Sequence, residues 1–63
     1  MIELVIETWG NLDGSAYYLW SIWRDGNRVE ISGRISNSES AEFQGRLWCE
    51  KNLHQPPDRV TRL

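Results

Sequence analysis

One cysteine, one histidine, one lysine and two prolines are all that this chain of 63 residues has of those residue types. Cys49 has no second thiol to pair with, so an internal disulfide is excluded. Cys49 and His54 together fall short of a structural zinc set, and no metal is expected. A Cys–His pair five residues apart does not share one helical face, and no third group is placed to orient the histidine, so nucleophilic catalysis is not expected. Glycine-rich phosphate loops of the G-x-G-x-x-G kind are missing, and no cofactor is expected. Residues 1–7 carry acids inside an apolar run and no basic leader, which does not read as a signal peptide. No stretch is long and apolar enough to span a bilayer. The lone cysteine suits a reducing compartment, so a cytoplasmic location is expected.

Aromatic mass is present instead, in Trp9, Trp20, Trp23, Trp48, Tyr17, Tyr18 and Phe43. A single domain of this length buries only about 60% of its unfolded surface, and its stability should be about 3–9 kcal/mol. Large rings that bury about 150–250 Å² each are therefore a practical way to build its core. The net charge of −2 argues mildly against a dedicated nucleic-acid binder, which carries a basic excess. The six arginines favour contacts of defined geometry with carboxylate or phosphate.

Residues 2–9 read as a strand, rich in Ile, Leu and Val, followed by a turn cluster at 10–15 with two glycines. Residues 16–24 form the strongest strand pattern, and 27–35 return as its partner across Asp25-Gly26, a dipeptide suited to a type I′ hairpin. A two-residue loop sets Trp23 opposite Arg28 and Ile22 opposite Val29. Alternation then gives one face with Tyr18, Trp20, Ile22, Val29, Ile31 and Gly33, taken as the core. The other face carries Tyr17, Leu19, Ser21 and Trp23, with Arg28, Glu30, Ser32 and Arg34 on the neighbouring strand.

A helix is expected over residues 38–52. Residues 36–39 supply N-cap candidates, and Ser36 with Glu39 has capping-box spacing. Ala41 and Gly45 let the helix lie close to the sheet, and the helix-interior cost of Gly45, about 1 kcal/mol, implies a packing reason. Glu39, Glu42, Arg46 and Glu50 form a solvated side, with an Arg46–Glu50 pair expected. Pro56-Pro57 stops the helix. Residues 58–63 form either a short edge strand or a loose tail, with the tail preferred. The expected fold is thus α+β: a three-stranded, mainly antiparallel sheet with one helix packed on it, in residues 1–55, followed by residues 56–63. Several small superfamilies share this element order, DNA-binding domains and antitoxins among them, but no motif here is specific to one.

The outer hairpin face is the candidate site. An antiparallel sheet covered on one side normally shows a polar second face, whereas this one carries Tyr17, Leu19 and Trp23 flanked by Arg28 and Arg34. Tyr, Trp and Arg are enriched in interface hot spots. The competing structural readings are that Trp9 or the C-terminal residues fold over this face, or that Arg28 stacks on Trp23 as a stabilising cation–π pair. The expected function is a non-catalytic module that binds protein, either a second copy as a homodimer or another chain. The alternatives are nucleic-acid binding through the same face and a small phage-type inhibitor that occludes a larger host machine.

Overall fold

In a computed structural model describing residues 1–63 the chain runs β1 (Ile2–Gly10), β2 (Ala16–Arg24), β3 (Asn27–Ile31), α1 (Ser38–Leu53) and β4 (Arg59–Arg62). The strands form one mixed sheet in the order β3-β2-β1-β4, antiparallel except where β4 runs parallel to β1. The α+β class and the β-β-β-α order are as the sequence indicates.

The β2–β3 turn has φ values of 50° at Asp25 and 85° at Gly26, the two positive values that a type I′ hairpin needs. Trp23 lies opposite Arg28 as expected, but the register then shifts. Glu30 lies opposite Ile22 and Ile31 opposite Ser21, leaving Val29 as the extra residue of a β-bulge. The expected pairing of Ile22 with Val29 is therefore corrected. Val29 and Ile31, assigned to the core by alternation, are 44% and 41% exposed. Ile31 moves to the outer side and Glu30 to the side of Ile22. β3 also ends earlier than residue 35, because Trp20 N–H donates to the Ser32 hydroxyl instead of to a ladder carbonyl. Pairing reappears only as an isolated bridge between Tyr18 and Ile35.

β1 and α1 make the centre of the core. Ile2, Leu4 and Ile6 point to one side of β1, and each is almost fully enclosed. Burial of such side chains stabilises by about 1.5–3 kcal/mol apiece. They meet Trp20 and Ile22 of β2 and the narrow stripe Ala41, Gly45 and Cys49 of α1. A Cβ on Gly45 would lie 2.4 Å from Leu4 Cδ1, so the expected packing reason for that glycine is real. The rings of Trp20 and Trp48 pack at a centroid distance of 6.4 Å, tilted by 47°. At the helix start the cap is Asn37 and not Ser36, its Oδ1 accepting from Ser40 N–H at 2.8 Å. The helix ends where His54 turns left-handed at φ 58°, two residues before the prolines.

Residues 59–62 are a strand and not a loose tail. Asp58 N–H donates to Ile2 O at 2.8 Å and Leu63 N–H to Ile6 O at 2.9 Å. The Asp58 carboxylate accepts from Ile2 N–H at 2.7 Å. Val60, opposite Leu4, packs on the core. Arg62 reaches Glu42 of α1, which also accepts from Arg46 Nε at 2.8 Å, in place of the expected Arg46–Glu50 pair. An acid N-terminal to its base by four positions is the better order on a helix, which favours the pair with Glu42. No helix is long and apolar enough to cross a membrane.

Candidate functional site: the open face of the sheet

The helix packs on one side of the sheet only. On the other side β1 presents Glu3, Val5, Glu7 and Trp9, because residues two apart share a face and Ile2, Leu4 and Ile6 occupy the core side. β2 presents Tyr17, Leu19, Ser21 and Trp23 directly opposite them. β3 contributes Arg28 and, past the bulge, Ile31. β4 adds Arg59 and Thr61. No helix or strand lies over this surface: residues 59–62 extend the sheet sideways, and Trp9 sits beside Tyr17 and stays 49% exposed.

Of the five residues singled out from the sequence, Tyr17, Leu19 and Trp23 are half-buried in a row along β2, and Arg28 and Arg34 are exposed. The Trp23 indole N–H donates to Ser21 Oγ at 2.9 Å, and the Ser21 side chain is enclosed. Trp23 is thereby held in place by its own strand, and the stacking with Arg28 that stood as a competing structural reading is not the contact it makes. The cation–π pair forms at the other end, where Arg34 Cζ lies 4.4 Å from the Tyr17 ring centroid.

The acids of the face are already bonded. Glu3 accepts from Arg59 Nε at 3.1 Å and from the Thr61 hydroxyl, and these two hydrogen bonds hold its carboxyl below the usual range. Glu7 Oε1 accepts from the Trp9 indole N–H at 3.2 Å. A shallow depression beside Arg34 is lined by Gly10, Asn11, Leu12, Asp13 and Tyr17. Asp13 is in turn bonded to the Ser15 hydroxyl and N–H, which lower its pKa.

Sequence reasoning missed Val5, Ile31, Glu3, Glu7 and Arg59 on this face. The β1 residues were legible in principle from their alternation, once β1 is set antiparallel beside β2. Ile31 and Arg59 depend on the bulge and on β4, which have no local signal.

Elsewhere, Cys49 is enclosed in the core, and burial pushes its thiol pKa up, while His54 is exposed at the helix end. No group of three or more His, Cys, Asp and Glu side chains is placed to hold a metal ion. A second shallow depression, at the start of α1, is lined mainly by Asn37, Ser38, Ser40, Phe43 and Gln44. No protein-family model, curated protein or solved structure matches this chain.

Proposed function

We propose that this chain is a non-catalytic protein-interaction module that docks a partner on the open face of its sheet. The observation that supports the reading is a half-buried aromatic and aliphatic row, Tyr17, Leu19 and Trp23, on a sheet face that no other element covers. Such rings offer large contact area at small entropic cost, and flanking arginines add directional hydrogen bonds. Nucleic acid is the less favoured partner, because Glu3 and Glu7 lie on the same face and the whole chain is negative.

The test is capture from lysate with the tagged chain, with and without nuclease, using the wild type and the variants Trp23→Ala and Arg28→Ala. A protein that survives nuclease and is lost with both variants supports the reading. Capture that is equal for wild type and variants, or that vanishes with nuclease, refutes it. Should Trp23→Ala unfold the domain, as judged by circular dichroism, Arg28→Ala at its exposed position carries the comparison.

A further inference from the structure

We infer that the open face takes an acidic protein segment, docked face-on, whose carboxylates are received by the guanidinium groups of Arg28 and Arg34. This rests on the docking role proposed above and names the chemistry of the partner. Three arginines, Arg28, Arg34 and Arg59, share the face with two glutamates, in a chain whose net charge is −2. The excess acid therefore lies on the rest of the surface. Glu3 is paired with Arg59 in a salt bridge, whereas Glu7 is bonded only to the neutral Trp9 indole and keeps its charge. Arg28 and Arg34 take no part in the salt bridges of the molecule. Two unpaired guanidinium groups thus stand against the one unpaired carboxylate of Glu7, a positive balance that flanks an apolar centre of Trp23, Leu19 and Ile31.

The placement of Arg34 strengthens the point. Seated over the Tyr17 ring, its guanidinium is held in position while its N–H groups have no carboxylate of their own. A pre-positioned fork loses less entropy when it binds a carboxylate. Arg28 and Arg34 are at most about 20 Å apart along the chain, so one segment with acids at both ends could meet both.

Other occupants fit less well. A second copy on the same face would bring the same basic excess against itself. A nucleic-acid strand, charged at every nucleotide, would lay phosphates across the unpaired Glu7, whereas a segment with acids only at its ends would not. Pairing along the β3 edge is obstructed, since Ile31 N–H is taken by the Glu30 carboxylate at 3.1 Å and the strand is bulged at Val29.

The four indole N–H groups supply a built-in readout by NMR, with Trp9 and Trp23 on the open face and Trp20 and Trp48 against the core. The full chain is titrated with three probes: a twelve-residue peptide with Glu and Asp at both ends of a Leu-Val-Phe centre, the same peptide with lysines for the acids, and the oligonucleotide dT12. The acidic peptide is expected to shift Trp9, Trp23 and the Nε–H signals of Arg28 and Arg34, and to leave Trp20 and Trp48 in place. Replacing Arg28→Glu and Arg34→Glu together should weaken it by about tenfold or more, the loss of one or two charge-assisted contacts, with the core signals unmoved. Equal or tighter binding of the lysine peptide or of dT12 overturns the acidic preference and leaves the docking role standing. Failure of the acidic peptide to move the face overturns the inference, whereas lysate capture that is indifferent to Trp23→Ala and Arg28→Ala overturns the docking role itself.

Discussion

Gly45 and Cys49 show how tightly single residues are constrained where α1 meets β1. An alanine at position 45 would gain about 1 kcal/mol of helix propensity but would place its Cβ 2.4 Å from Leu4 Cδ1. Leu4 is fully enclosed, so it has little room to swing away, and overpacking of this kind costs about 1–3 kcal/mol. Gly45→Ala should therefore lower the urea midpoint, followed by tryptophan fluorescence, and Leu4→Val in the same chain should recover part of the loss. An unchanged or higher midpoint would mean that the helix is not pressed against Leu4. Cys49 is enclosed in the same seam with its thiol pKa raised by burial, which disfavours the reactive thiolate. Ellman's reagent should find no thiol in the native protein and one in urea. Rapid native labelling would show that the seam opens readily.

Among the elements, β4 is the one held most by charge. Its contacts with the rest of the fold include Glu3 with Arg59 and Thr61, and Glu42 with Arg62, and both carboxyls are held below their ordinary pKa. For Glu3 the first cause is the Arg59 hydrogen bond, and for Glu42 the Arg46 hydrogen bond. A depressed carboxylate contributes stability that is present above the unfolded-state pKa and is lost as pH falls through the folded-state value. The Arg59 and Arg62 partners are more than half exposed, so the effect is modest. Acid should accordingly loosen β4 before the β1–β2–β3 meander. Amide protection at Leu63, which donates to Ile6, should fall between neutral pH and about pH 3, the range below the ordinary Glu pKa. The double variant Glu3→Gln, Glu42→Gln should flatten that dependence. Protection at Leu63 that is the same at both pH values would remove these pairs as the cause. β3 is the opposite case, since its bulge and the Glu30–Ile31 contact blunt an edge that would otherwise invite pairing with another chain.

The molecule as a whole is closed on one side and open on the other. Its accessible surface of 4239 Å² is close to the roughly 4200 Å² typical of a folded monomer of this mass. The chain thus reaches the usual compactness without a second copy, even though one sheet face is bare. With a basic excess on that face, the purified chain should sediment as a monomer at micromolar concentration and physiological salt. A dimer that survives Trp23→Ala would place self-association on some other surface, and one abolished by it would make a second copy the occupant of the face.

Much of this architecture is legible in the sequence. The tight turn at Asp25-Gly26, the strands on either side of it, the limits of α1 and the close approach at Gly45 all follow from residues a few positions apart. Turn chemistry, capping and periodicity act over that range. The row Tyr17, Leu19 and Trp23 could also be read as one face, because β2 is regular along its length. The remaining features depend on contacts between residues far apart in the chain. A single extra residue at Val29 exchanges the sides of Glu30 and Ile31, since strand side chains alternate with period two. The place of β4 depends on Ile2 and Glu3, 56 residues before Asp58 and Arg59, and no pattern within residues 58–63 encodes that pairing. Which cation stacks was likewise settled by side-chain contacts and not by register: Arg28 lies opposite Trp23 as the turn dictates, yet Trp23 bonds to Ser21, and the stacked pair is Arg34 over Tyr17.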